Sequence, residues 1–215
     1  MKIRFFIILL LSSTIDVIAQ MGKFPDGMYL NLEQLKNQNP AYNVDLKVIQ
    51  KTSSYKFWNG GNDYYIESNI DSIDKDYIRI QVLAYAKNDS IFINCRNYQL
   101  GNEYSHILTT GNFLAFKTIL LKNKSTNLGL YLGGVGAVID QDKNKSKDRQ
   151  IYVLSLRTGN AKPLTKDYLA PLLNENQKLL DQFNTEKDQQ SDSVLIRYID
   201  LLNQIVSPFS KSLSK

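Results

Sequence analysis

Apolar and polar residues alternate through the middle of the chain and fall into helical spacing near its ends. Val44, Leu46 and Val48 lie two apart, the period of a strand with one buried face. The same pattern predicts further strands over 64–70, 77–86, 90–95, 113–122, 128–139, 149–156 and 161–164. Lys87-Asn88-Asp89 and Thr158-Gly159-Asn160 separate neighbouring runs and predict hairpins. Strands joined by such short turns pair antiparallel. Upstream, Pro25-Asp26-Gly27 reads as a turn. Residues 28–30 lead into a short helix that Asn31 caps, with Gln34 three residues on and Pro40 as its stop.

After residue 164 the spacing changes. Thr165 caps a short helix that Pro171 should end or kink. Asn174 with Gln177 predicts a second helix to about residue 184. A polar stretch over 186–192 leads to a third, capped by Ser191 or Asp192. Its apolar stripe is Leu195, Tyr198, Ile199, Leu202 and Val206. No self-similarity at solenoid or propeller periods recurs. The expected fold class is α+β: a single domain over 20–215, with an antiparallel β-rich body (41–164), a short N-terminal helix and a C-terminal layer of two to three helices (165–207).

Residues 1–19 stand outside that domain. Lys2 and Arg4 precede an apolar run from Phe5 to Leu11, extended by Ile15, Val17 and Ile18, and Val17 and Ala19 suit a signal-peptidase site. The run is shorter than the roughly 20 residues that span a bilayer, and Asp16 interrupts it, so a cleaved secretory signal is favoured over an anchor helix. No cysteine lies near the cleavage point, which argues against a lipoprotein. No transmembrane segment is expected in the mature chain. A periplasmic or secreted address follows, and the helical C-terminus does not look like a β-sandwich sorting domain.

Charge and composition narrow the chemistry. Removing Lys2, Arg4 and Asp16 from 26 basic and 21 acidic residues leaves 24 and 20, a net charge of +4 with the signs interspersed. A nucleic-acid binder would gather its positive charge into a patch, so no nucleic-acid partner is expected. Cys95 is the single cysteine, which forbids an intramolecular disulfide, and alternation places it with Ile91 and Ile93 on a buried face. His106 is the single histidine, and neither it nor Cys95 carries a local signature of a nucleophilic triad or a zinc site.

A series of short motifs carries a resemblance. It runs from Ala19-Gln20 through Gly27-Met28-Tyr29-Leu30, Leu32-Glu33-Gln34-Leu35 and Pro40. It continues with Leu83-Ala84-Tyr85, Ile91-Phe92-Ile93-Asn94-Cys95, Gly133-Gly134, and Ile151-Tyr152-Val153-Leu154 with Thr158-Gly159. It closes on Leu172-Leu173 ahead of Leu180 and Phe183. In this order they resemble an uncharacterised family of secreted Bacteroidota proteins, a domain of unknown function, over most of the mature chain. Leu83 stands where that family usually has tryptophan. The resemblance implies export and assigns no activity or catalytic residue.

Four constellations remain. Tyr55, Phe57, Trp58, Tyr64 and Tyr65 surround a polar turn, Asn59-Gly60-Gly61-Asn62-Asp63. Exposed rings on a loop suit a contact with a sugar or a protein edge, so Tyr55, Phe57, Trp58, Asn62 and Tyr64 are the candidate ligand-binding residues. Asp140, Asp142, Asn144 and Asp148 place oxygen ligands at alternate positions, as a calcium loop does. Lys145 replaces the glycine of such a loop, and Ile151 the bidentate glutamate. The bland reading is a solvated loop, with calcium a weak candidate cofactor. Gly129, Gly133, Gly134 and Gly136 punctuate an apolar segment without a phosphate-loop or dinucleotide fingerprint. It reads as a buried bent strand or an apolar flap. Glu67, Asp71, Asp74, Asp76 and Glu103 supply carboxylates for a glycosidase pair, should two face one cleft. The expectation is therefore an exported, non-enzymatic binding or interaction protein of the bacterial envelope, its partner an envelope protein or a glycan. The alternative is an envelope hydrolase that uses paired carboxylates.

Overall fold

The computed structural model describes residues 24–55, 61–70, 72–119 and 149–205. Among them are nine strands: β1 (Gly27–Tyr29), β2 (Lys47–Gln50), β3 (Tyr64–Glu67), β4 (Ala84–Lys87), β5 (Ser90–Asn94), β6 (Tyr104–Thr109), β7 (Phe113–Ile119), β8 (Arg149–Ser155) and β9 (Ala161–Pro163). The helices are α1 (Leu32–Lys36), α2 (Lys75–Gln81), α3 (Lys166–Leu173), α4 (Gln177–Asn184) and α5 (Asp192–Ile205), with a 3-10 turn at Cys95–Tyr98. The strands join in one antiparallel sheet of order β1-β4-β5-β6-β7-β8-β9. Off this path β2 pairs β3, and β3 reaches β6 through Tyr64 and Tyr104. The α+β class expected from the pattern is the class observed.

The strands β4, β5 and β8 bury both faces, which is why their sequences run nearly continuously apolar, whereas β2, β3 and β9 remain partly exposed. In β8, Ile151 and Val153 face the helices α3, α4 and α5. Tyr152 and Leu154 point the other way, into a central core with Leu114 and Phe116 of β7 and Ile91 and Ile93 of β5. In β4 and β5 the alternate residues Tyr85 and Phe92 face outward again, into a third cluster with Leu46, Ile66, Ile78 and Tyr104. The central core is thus covered on one side by the C-terminal helices beyond β7–β8, and on the other by α2, β2 and β3.

The local signals worked where the partners are near in sequence. Asn31 Oδ1 accepts from Gln34 N at 2.9 Å, and Gln34 Oε1 accepts from Leu30 N at 2.8 Å, a reciprocal cap one residue wider than the expected box. In α5, Leu195, Tyr198, Ile199 and Leu202 are buried as their spacing predicts. Val206 lies outside the described residues.

Three expectations need correction. The strand expected over 77–86 begins as helix α2, and only 84–87 pair. Asp74 caps α2 by accepting from Asp76 N at 3.0 Å. Its last carbonyls are met by distant groups: Tyr104 hydroxyl donates to Ile78 O at 2.7 Å, and Asn94 Nδ2 to Arg79 O and Val82 O at 2.9 Å each. Those partners are invisible to a local reading. Second, β6 was not expected at all, although it links the two halves of the sheet. Ser105 and His106 break its apolar run, and its register shifts between Ile107 and Thr109. Third, the cap of α4 is Asn176, whose Oδ1 accepts from Leu179 N at 3.1 Å; Asn174 instead closes α3. Pro171 sits inside α3 without ending it, and the helix runs on to Leu173.

Candidate functional site

The described residues of the aromatic segment, Tyr55 and Gly61 to Tyr65, follow β2 and lead into β3. Lys51 N donates to Asp63 O at 2.8 Å, closing the two strands into a hairpin at that end. Gly61 adopts φ +75°, and a Cβ there would lie 3.0 Å from Lys51 Nζ, so both conformation and space call for glycine. Asn62 follows and is buried at 2% exposure. Its Nδ2 donates to Leu100 O and Asn102 O, each at 3.2 Å, and its Oδ1 accepts from Thr118 Oγ1 at 2.9 Å and Ile119 N at 3.1 Å. Its side chain therefore ties the turn to the start of β6 and the end of β7, a fastening duty that leaves none of its amide facing a ligand.

Strand alternation then divides the tyrosines. Tyr64 turns inward, half-buried, with its ring 5.0 Å from Phe92 and 6.4 Å from His106. Tyr65 turns outward and stacks on Tyr55, with centroids 5.9 Å apart and planes 16° from parallel. Tyr55 is 41% exposed. Lys51 Nζ lies 5.3 Å from the centre of the Tyr55 ring, within cation–π range. Desolvation, then the Glu67 charge and Tyr55, push the Tyr65 hydroxyl above its ordinary value. Of the five candidates, then, Tyr55 sits on an outer aromatic pair, Tyr64 lines the inner face, and Asn62 is a fastener. Phe57 and Trp58 lie outside the described residues. The outward partner of Tyr55 is Tyr65, next to the tyrosine chosen from the sequence. Alternation alone put the two on opposite faces without saying which face was buried.

Two ion pairs hold the segment, one of them through the Lys51 that faces Tyr55. Buried Lys51 pairs with Glu103, and Arg149 holds Asp63 through both guanidinium NH groups. These four charges come from the residue after β2, the turn before β3, the turn before β6 and the start of β8. No local signal joins residues 86 positions apart. Their chemistry bears on the hydrolase alternative. A glycosidase needs one acid protonated at working pH, and a cation bonded to a carboxylate favours its ionised form. Of the other acids weighed, Asp74 caps α2 and Asp76 pairs with Arg79 at 3.0 Å on the surface. Asp71 and the calcium candidates Asp140, Asp142, Asn144 and Asp148 lie outside the described residues. So do the glycine-punctuated segment over 128–139 and the signal over 1–19. Among the described residues no helix is long and apolar enough to cross a membrane.

The lone cysteine and histidine serve the interior. Cys95 is fully buried in the central core, its Sγ 3.3 Å from Ser105 Oγ, and burial pushes its thiol up to about 11. His106 is half-buried beside Phe92 at 5.5 Å, and desolvation lowers its pKa below the ordinary 6.5. The folded chain then binds that proton less readily than the unfolded chain. Stability is complete above the ordinary histidine value and declines as pH falls through it. We expect the melting temperature to drop between about pH 7 and pH 5, and the drop to shrink in His106→Gln. An unaltered pH profile in that variant would contradict the assignment.

Together the described residues define an α+β protein whose outer surface carries a stacked tyrosine pair beside a buried, ion-paired lysine. The chain belongs to the family of unknown function DUF6563, whose pattern matches residues 27–206. No curated protein and no solved structure matches it.

Proposed function

We propose that this protein is a non-enzymatic binding protein of the bacterial envelope that meets its partner through Tyr55 and Tyr65. The observation that carries the reading is the pair itself: two parallel rings on an outer face, one of them 41% exposed. A tyrosine offers large apolar area and a polar tip for few rotatable bonds, which makes it a frequent anchor at interfaces. Stacking restrains each ring before binding, so less side-chain entropy is lost when a partner arrives. An envelope protein or a glycan fits such a surface. Export rests on the charged and apolar pattern of residues 1–19, and the Bacteroidota origin on the order of the short motifs.

The test is quantitative binding of the mature protein to envelope proteins and to purified envelope glycans. Tyr55→Ala/Tyr65→Ala is expected to weaken binding about tenfold or more. Its melting temperature should stay within about 3 °C, as befits surface substitutions. Unchanged affinity of the double variant for the same partner would sink the reading. Protease sensitivity or periodate sensitivity of the target then separates protein from glycan.

A further inference from the structure

The hairpin formed by β2 and β3 is attached to the molecule unevenly. Both of its roots are pinned. On one side Leu46 N donates to the Tyr85 hydroxyl at 2.8 Å, and Leu46 O accepts from Lys87 Nζ at 2.8 Å. On the other side α2 is held by Tyr104 and Asn94 through the carbonyls of Ile78, Arg79 and Val82. Between the roots, backbone bonding to the body is sparse among the described residues: the Tyr64–Tyr104 pair, and Asn62 N to Asn102 O at 3.0 Å. The apolar side chains that the two strands themselves bury are few as well. Ile66, 7% exposed, is the one buried apolar side chain of the two strands, and Val48 and Tyr64 are partly buried against the cluster that holds Phe92 and Tyr104 of the body.

The far end of the hairpin is held by polar groups that all converge on one place. Asn62, the Lys51–Glu103 pair and the Asp63–Arg149 pair meet residues 100–103 and the ends of β7 and β8. Such groups regain water when they part, so opening exchanges hydrogen bonds at modest net cost. Separating the apolar faces of the central core has no such compensation. Segments with little buried apolar area open at lower free energy than the whole fold.

We propose that β2 and β3 form a strap that opens as a unit from the outer face of β5 and β6, with Asn62, Asp63 and Lys51 as its catch. Opening swings the Tyr55–Tyr65 pair away with the strap and uncovers Phe92, Tyr104 and His106 on the body. The device therefore links the outer aromatic pair to an inner aromatic face. It stands on the fold and holds whether or not the binding reading does.

Native-state hydrogen exchange on the full chain, run across low urea concentrations, tests it without a ligand. Amides of Lys47–Gln50 and Tyr64–Glu67 are expected to exchange at least about tenfold faster than those of β8 and α5, and with a weaker urea dependence. Asp63→Asn loosens the catch and should speed the strap amides about tenfold further. Asn203→Ala, which loosens α5 from β7 at the opposite end, leaves the strap rate unchanged while β8 and α5 accelerate. Strap amides that share the rate and urea slope of β8 and α5 would overturn the proposal. So would an equal acceleration of the strap in Asn203→Ala. Should that variant not fold, the urea dependence of the native chain decides alone.

Discussion

Asn62→Ala is expected to cost about 2–4 kcal/mol of folding free energy, read by urea unfolding. The change strands Ile119 N, which now donates to Asn62 Oδ1 at 3.1 Å, and removes one partner each from Leu100 O and Asn102 O. An orphaned buried donor costs about 1–3 kcal/mol by itself. The lost acceptors are milder: Thr118 Oγ1 still reaches Leu100 O, and Asn62 N still donates to Asn102 O. Asn62→Asp separates the two halves of the amide. It keeps an acceptor for Ile119 N and Thr118 but sets a carboxylate oxygen against two carbonyls at a site 2% exposed. Burial and carbonyl repulsion raise that acid's pKa in the folded state. The folded variant then holds its proton where the unfolded chain has lost it, so its deficit relative to the unsubstituted chain should shrink as pH falls from about 7 to 5. A deficit in Asn62→Asp that is flat with pH would show that the donor half of the amide does no fastening.

That residue also marks where sequence reading stops. Asn62 sits in Asn59-Gly60-Gly61-Asn62-Asp63, which has every mark of an exposed hairpin tip. Only the long-range partners at Leu100, Asn102, Thr118 and Ile119 make it a buried post. Helices α1 and α5 were legible because their signals are internal: an Asn-to-Gln cap in one, a periodic stripe in the other. The hairpins at Lys87-Asn88-Asp89 and Thr158-Gly159-Asn160 were legible for the same reason. Strand β6 was not, since Ser105 and His106 disguise a segment whose burial comes from β5 and β7 on either side. Nor was α2, whose C-terminal carbonyls depend on Asn94 and Tyr104. At the candidate site, composition drew attention to this segment through its cluster of rings. It could not tell Tyr64 from Tyr65, because facing is a property of what the strand packs against. The ion pairs were out of reach altogether, as each joins elements that only the assembled sheet brings together.

The other large effect is expected at Gly111, in the turn between β6 and β7. Gly111→Ala should destabilise by about 3–5 kcal/mol, from two causes that act together. Its φ is +151°, a conformation L residues rarely adopt, and the added Cβ would lie 2.4 Å from Asn203 Cγ. Asn203 is not free to step aside. Its Oδ1 accepts from Phe113 N at 2.9 Å and its Nδ2 donates to Phe113 O at 2.8 Å, so the one amide bridges α5 to the first residue of β7. Moving it strands Phe113 N and leaves Phe113 O only the long 3.4 Å bond from Thr109 Oγ1, next to a helix whose stripe seals the core behind β7 and β8. Asn203→Ala alone removes the same two bonds and should cost about 2–3 kcal/mol. Because both substitutions break one bridge, Gly111→Ala/Asn203→Ala should cost less than their sum by about 1–2 kcal/mol. Additive losses in that cycle would mean that the strain at Gly111 lies in its backbone alone, and that the glycine is there for the turn and not to admit Asn203. A coupled loss means that a buried asparagine on an otherwise apolar helix face sets the seat of the C-terminal layer on the sheet, and that Gly111 is kept small to let it do so.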